Sequence, residues 1–448
     1  AETQGWNNTS GLIHALNITI NTNKQKLINR DTQDNQGIQA SQKLQLNTGV
    51  LDNYKGDIGG KTVLLTTEGL DNGQGIIDRK TLDLNTGKFT LINQLGKISL
   101  TEGADLKTGE INNQQGLIIT GKDLTINSHQ QIINNRETKK SGGIVSQGKL
   151  TLESGELDNQ QGQMLAKQAI NLTTQTVKNN TGKIVSELSS LTFKGLSLDN
   201  TQGHLFSSKN LLLTLSDKLT NHFTKENDQG IEAQGLLTIT SGNIDSTKGR
   251  IVSGEKLILE SNDLINKQGI LGSLNNNLSI TSKAINNDDG SISAYDITIN
   301  TQGEHLSNQS QQNSSQIFSK HNLTIESGTI DNTKGKLVGK NTINITSDGD
   351  LNNQQGQISS THSLDITTNS LNNAQGQISS NKAITVTSDN NIDNTEGKIE
   401  GRDSIRIENN GQFNNTLGEI IGKNSVGILS QGDLINYKGR LGSEKSSV

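Results

Sequence analysis

The chain has 448 residues, of which 29% are hydrophobic and 2% aromatic, with 48 glycines and neither proline nor cysteine. Ordinary globular domains are about 45–50% apolar with glycine counted and about 5% proline, so an enzyme-like core is not expected. Absent cysteine removes disulfides, thiolate chemistry and cysteine-ligated metals. The net charge of −5, from 40 Lys+Arg against 45 Asp+Glu, argues against a dedicated nucleic-acid binder, whose footprint would be a basic face.

Low hydrophobicity alone would suggest disorder. The missing proline argues otherwise, because a chain whose backbone N–H groups are committed to ladders has no room for a residue without that donor. No apolar run approaches the roughly 18 residues that span a bilayer, so no stable membrane insertion is expected.

One unit recurs along the chain, apolar-x-Asn-x-x-Gly-x-Ile-x-Ser/Gly, followed by a short polar stretch and Leu-x-Ile/Leu. In order, clear copies are LDNYKGDIGG from Leu51, INNQQGLIITG from Ile111, LDNQQGQM from Leu157, LDNTQGHLFSS from Leu198 and IDNTKGKLVG from Ile330. LNNQQGQISS from Leu351, LNNAQGQISS from Leu371 and IDNTEGKIEG from Ile392 follow. The turn Asn sets the register at Asn8, Asn29, Asn53, Asn72, Asn93, Asn113, Asn135, Asn159, Asn179, Asn200 and Asn221. Ser246 takes the slot once, and Asn266, Asn287, Asn308, Asn332, Asn353, Asn373, Asn394, Asn415 and Asn436 complete it. Twenty steps from Asn8 to Asn436 average about 21 residues.

Within a unit, apolar and polar residues alternate, as in Gly335–Gly339 and Thr342–Thr346, which predicts short half-buried strands. Gly56, Gly162, Gly203, Gly335, Gly356, Gly376 and Gly397, each three residues after the Asn, are expected to supply φ > 0 at a corner. One unit cannot enclose a core, but stacked units can. The fold predicted is all-β: a right-handed parallel β-helix, or β-solenoid, of about 20 coils, continuous over residues 1–448. At about 4.8 Å per coil it would be a monomeric rod on the order of 95 Å long.

About four aliphatic side chains per coil, such as Leu371, Ile378, Ile384 and Val386, point inward on this reading. Their burial does not by itself offset the entropy of ordering about 21 residues. Asn in one slot of coil after coil therefore predicts a stacked amide ladder, each side chain donating to the next, through Asn53, Asn72, Asn113, Asn159, Asn200, Asn332, Asn353, Asn373, Asn394 and Asn415. Leucine-rich repeats would need a helical or 3₁₀ half, and calcium-binding nonapeptides would need serial Gly-Gly-x-Gly-x-Asp. Neither pattern is present.

Four coils are longer, from Asn29, Asn135, Asn221 and Asn308, with the additions at one corner near residues 30–37, 136–143, 222–230 and 309–316. Three share Asn-x-x-Thr and end in Gly-Ile. They should form loops on one face, either tolerated insertions or contact surfaces. The candidate contact residues are Arg30, Asp31, Arg136, Glu137, Lys139, Lys140, Phe223, Lys225, Glu226 and Ser314.

Chemistry is sparse. Asp recurs before the turn Asn at positions 52, 71, 158, 199, 245, 331 and 393, where Asn112, Asn352 and Asn372 exchange with it, so the slot reads as a structural corner and not a catalytic pair. His14, His129, His204, His222, His305, His321 and His362 match no ligand spacing. No phosphate-cradling loop is present, and neither a catalytic residue, a metal nor a cofactor is expected. Trp6, Phe223 and Phe318 are expected to pack or cap.

The tandem Leu-Asp/Asn-Asn-x-x-Gly-x-Ile-x-Ser units resemble the repeats of filamentous haemagglutinin and related two-partner-secreted exoproteins, including contact-dependent growth inhibition effectors. The resemblance covers essentially residues 8–441. It implies a shaft segment of a bacterial filament on the Gram-negative cell surface, exported by an outer-membrane transporter and projecting adhesive or toxin-delivery regions. A host-cell or bacterial surface receptor is an implied partner. The family's Asn-Pro secretion domain has no counterpart in a proline-free chain, so the expectation is a segment that begins and ends mid-filament. The alternatives are a receptor-binding adhesin region acting through the one-face loops and, less in keeping with the regular outer surface, a carbohydrate-active β-helix enzyme.

Overall fold

The computed structural model describes residues 1–32, 36–137, 142–226, 228–311 and 316–443. Among them the regular elements are all strands, with no helix. The chain divides into two compact units, Ala1–Lys218 with Asp228–Glu232, and Leu219–Asn227 with Ala233–Val448.

In the second unit a coil consists of three short strands, Gln357–Ser360, Leu364–Thr368 and Leu371–Asn372. Each pairs in parallel with its equivalent in the next coil, Gln377–Ser380, Ile384–Ser388 and Ile392–Asp393, without a slip of register. In the first unit the second and third strands often fuse, as in Ile170–Lys178, which pairs in parallel with Leu191–Asp199. The result is a parallel β-solenoid of about 20 turns, spaced about 21 residues apart.

The core is made of stacked rows. Leu337, Ile358, Ile378, Ile399 and Ile420 occupy one register line, all with 0% exposure. In the first unit Ile58, Ile77, Ile98, Ile118 and Ile144 do the same. Each such side chain contributes roughly 1.5–3 kcal/mol on burial. Because like sits on like, one small set of aliphatics fills the interior and few aromatics are needed. Phe193 and Phe413 are buried, whereas Phe223 is half exposed and does not pack in the core.

Two further rows line the other corners. Buried Thr368 and Ser388 turn their hydroxyls onto the preceding coil, at 2.9 Å from Gly349 O and 2.9 Å from Asn369 O respectively. Ser360 Oγ meets Ser380 Oγ at 3.1 Å at the end of the first strand. These hydroxyls satisfy carbonyls at bends, where the ladder geometry is lost.

The glycine expectation needs correction. At the Asn corner the left-handed residue is the one before the glycine: Lys55, Gln161, Gln202, Lys334, Gln355, Gln375 and Glu396 have φ between 50° and 57°. The glycine N–H closes the turn onto the Asn carbonyl, as from Gly356 to Asn353 at 3.0 Å, in a β-turn whose third residue takes positive φ. What Gly356 contributes is clearance. A Cβ there would overlap the Asn332 carbonyl oxygen of the preceding coil and crowd Asn332 Nδ2 at 2.9 Å.

Gly356→Ala is therefore expected to destabilise the second unit by about 2 kcal/mol or more, whereas Gly442→Ala, whose Cβ would meet nothing within 4 Å, should stay within about 0.5 kcal/mol. Amide hydrogen exchange of the flanking coils reads both, since solenoid stability is local.

Candidate functional site: the asparagine corner and its insertions

The turn Asn side chains lie inside the corner, and those from Asn29 to Asn200 in the first unit are fully buried. Each Nδ2 donates to Oδ1 of the next coil. Asn53 reaches Asn72, Asn72 reaches Asn93, and Asn159 reaches Asn179, each at 2.7 Å. In the second unit the chain of amides runs Asn332, Asn353, Asn373, Asn394, Asn415, Asn436, again at 2.7 Å per link. The second amide proton points at backbone carbonyls, for Asn332 those of Gly335 at 3.2 Å and Gln357 at 3.3 Å. A buried carboxamide has two donors and an acceptor to satisfy, and a copy of itself one coil away serves both roles.

Ser246 interrupts the second unit's ladder. Its hydroxyl still accepts from Asn221 Nδ2 at 3.2 Å, but it is too short to reach onward, and Asn266 Oδ1 is buried with no hydrogen-bond partner. An unsatisfied buried acceptor costs about 1–3 kcal/mol.

The Asp/Asn slot just before the turn Asn closes a local turn. Asp331 Oδ1 accepts the Thr333 N–H at 2.9 Å, Asn352 Oδ1 accepts the Gln354 N–H at 3.1 Å, and Asp393 Oδ1 accepts the Thr395 N–H at 2.9 Å. Either residue type can do this, which is why the two exchange.

At the insertions, Asn-x-x-Thr replaces Asn-x-x-Gly for a reason. In a plain coil the next coil's strand N–H bonds to the glycine carbonyl, as Gln357 N–H to Gly335 O at 2.9 Å. Where the chain leaves the stack, Thr32 Oγ1 accepts the Asp57 N–H at 3.0 Å and Thr224 Oγ1 accepts the Arg250 N–H at 3.0 Å, both threonines being fully buried. The chain rejoins the first unit at Gly37, Gly143 and Gly230, with φ of 91°, 100° and 94°.

All four roots share one feature that sequence reading missed. The residue after the turn Asn contacts the Asp of the following coil. Arg30 Nε lies 2.7 Å from each Asp52 oxygen, Arg136 Nε 3.7 Å from Asp158, His222 Nε2 2.9 Å from Asp245, and Gln309 Nε2 2.7 Å from Asp331. The signal was present as a donor 22 or 23 residues ahead of an Asp at each long coil. Asp52 is also bridged by Lys26 at 2.7 Å. Burial alone would raise its pKa, yet hydrogen bonds and charge from Lys26 and Arg30 hold it below the ordinary carboxylate range. At Asp245 burial likewise pushes the pKa up, and Thr247 and His222 overcome it, leaving the pKa lowered.

The other candidate contact residues are spread along these roots. Asp31 and Glu137 take the left-handed position, with φ of 53° and 52°, and Glu137 accepts from Gln114 Nε2 at 3.0 Å. Phe223 is 50% exposed beneath Lys248, whose Nζ sits 5.5 Å from the ring centroid. Burial first, then Lys248, lowers the Lys225 pKa, and Glu226 is exposed. Lys139, Lys140 and Ser314 lie outside the described residues. Among the described residues no group of three or more His, Asp or Glu could hold a metal.

A family comparison matches most of the same chain. The haemagglutinin repeat model matches seven consecutive stretches, residues 29–93, 90–139, 133–230, 224–276, 271–310, 296–355 and 351–436. The chain belongs to the haemagglutinin-repeat family. Its β-solenoid is a filamentous-haemagglutinin-like shaft, of a repeat type associated with secreted or cell-surface exoproteins. No curated protein and no solved structure gives a match.

Two measurements check the corner. Ser246→Asn should give Asn266 Oδ1 a donor and stabilise the second unit by about 1 kcal/mol, whereas Asn353→Ala, which removes the side-chain acceptor of Asn332 Nδ2 and the side-chain donor to Asn373 Oδ1, should cost about 2 kcal/mol or more in denaturant unfolding. For Asp52, whose folded pKa is depressed, the stabilisation is present above the unfolded value and is lost as pH falls through the folded one. Unfolding of the first unit should therefore steepen below about pH 4, and Asp52→Asn should flatten that dependence.

Proposed function

We propose that this chain is a structural length of an exported bacterial surface filament, whose work is to hold more distal adhesive or toxin-delivering regions away from the cell. The observation that carries this reading is the corner register kept within each unit, with a turn Asn, or once Ser246, in the same slot of successive coils, which turns each coil into a spacer of the same height. On this reading residues 1–448 form one continuous monomeric β-helix. The partner during export is an outer-membrane transporter of the two-partner type, the finished shaft lies on the Gram-negative cell surface, and the chain performs no catalysis. A cysteine-free chain whose coils are stabilised by neighbours suits passage through a pore unfolded, followed by coil-by-coil folding outside.

A second role, adhesion to a cell-surface receptor through the corner loops, is favoured by the common root built at all four insertions and by exposed Phe223 under Lys248.

The test is to place the segment between a two-partner secretion domain and a carboxy-terminal epitope in a Gram-negative host. Surface exposure of the epitope should require the cognate transporter, and micrographs of the purified segment should show a single rod on the order of 95 Å long. Export without the transporter, or two lobes joined by a hinge, would contradict the reading. Cell binding that disappears when the four loops are shortened to plain corners would support adhesion, and binding that survives would remove it.

A further inference from the structure

In the first unit the bend between the second and third strands carries a line of buried hydroxyls, and at one place that line turns apolar. Its members are the fifth residues of the fused strands Leu150–Asp158, Ile170–Lys178, Leu191–Asp199 and Leu211–Thr220. They read Ser154, Thr174, Gly195 and Leu215, so the hydroxyl is lost in two coils running. Ser154 Oγ donates to Thr174 Oγ1 at 3.0 Å, and Thr174 Oγ1 donates to Gly155 O at 3.2 Å. At Gly195 a buried ring takes the place of the hydroxyl, because a Cβ there would lie 2.9 Å from Phe193 Cε2. Leu215, 2% exposed, continues the apolar floor in the next coil.

A groove of about 410 Å³ runs along this bend, its lining drawn from five successive coils between Gln130 and Ser216. With coils about 4.8 Å apart it is about 20 Å long, which leaves a mean cross-section of about 20 Å². That is the girth of a single extended alkyl chain. A polar guest would find no hydrogen bonds inside: the buried hydroxyls are engaged with each other and with the backbone, and among the described residues no buried polar atom of the lining lacks a partner. Leu196 on the wall is 45% exposed, so a chain laid beside it removes apolar surface of both from water. Lys194 stands next to it, exposed and with no ion-pair partner among the described residues, whereas Lys178 in the preceding coil is held by Glu156 at 2.6 Å.

We propose that this groove binds a free long-chain fatty acid, with its alkyl chain along the bend over Gly195 and Leu215 and its carboxylate at the Lys194 ammonium. The chain fits the narrow apolar channel, and the carboxylate supplies the charge that Lys194 lacks. A diacyl lipid would need twice the width, and a cationic amphiphile would meet Lys194 with like charge. The site is independent of the shaft reading and can fail without affecting it.

The test is calorimetry on the whole chain with dodecanoate, kept below micelle formation, together with NMR of methyl-labelled leucines. Dodecanoate should bind with Kd of about 100 μM or tighter and shift the Leu196 and Leu215 methyls. Octanoate, with its shorter chain, should bind at least about tenfold more weakly. Lys194→Gln should weaken dodecanoate about threefold, the size of an exposed ion pair, and dodecylammonium should bind less well than dodecanoate. Leu196→Gln, a change at an exposed position, should weaken dodecanoate about fivefold with the melting temperature maintained, and Leu215→Thr, which restores the hydroxyl line, should do the same. No binding at about 1 mM, equal affinity for dodecylammonium, or affinity indifferent to Leu196→Gln and Leu215→Thr would overturn the proposal. So would sedimentation showing a dimer that Leu196→Gln abolishes, since the groove would then be filled by a second copy.

Discussion

A carboxamide buried at a bend must find a donor and an acceptor without water, and this constraint shapes the chain. With Asn353 or Asn373 at 0% exposure, the partner can only be protein. Spacing the same residue one coil apart lets every amide serve the next. The coil height, the length of the repeat and the closeness of the turn to its neighbour then follow. Glycine three residues later is needed because the neighbouring Asn and its carbonyl fill the space where a side chain would go.

The rest of the coil is arranged around that seam. Stacked aliphatics such as Leu337, Ile358 and Ile378 fill the interior, and hydroxyls at the other bends close carbonyls onto the preceding coil. Because each coil depends mainly on its neighbours, the chain tolerates local extensions if the seam is preserved. The insertions preserve it in a common way: a threonine replaces the lost glycine carbonyl contact at Thr32 and Thr224, and a donor on the loop root is fixed to the Asp one coil on. Loops rooted so uniformly can vary at their tips without disturbing the stack.

The fold was legible because its signals are periodic: Asn in one slot, alternation around it and absent proline all point to stacked parallel strands. The position of the insertions was legible for the same reason. Single-residue roles were harder. A glycine in sequence means only that a Cβ is missing, and whether for dihedral freedom or for clearance depends on a neighbour one coil away. At Gly356 it is clearance, while Gln355 takes the left-handed state with no sequence mark to announce it. Ser and Thr are abundant throughout, so the hydroxyl rows did not stand out. The hydrogen bonds at Asp52 and Asp331, and the contacts at Asp158 and Asp245, were hidden because Asp and Asn look interchangeable in a slot whose first duty is a local turn. The gap at Asn266 is the converse case: Ser246 is visible in sequence, but its cost becomes apparent only when the unanswered Oδ1 is located.

The most direct measurement of the central claim is hydrogen exchange at the side-chain amides, read by NMR on Asn-labelled protein. If the carboxamides form continuous buried ladders, the Nδ2 protons of Asn353, Asn373 and Asn394 should exchange as slowly as the strand N–H groups beside them. Exchange at the rate of exposed asparagines such as Asn391 or Asn410 would mean that the seam is open to water, and the account would fail.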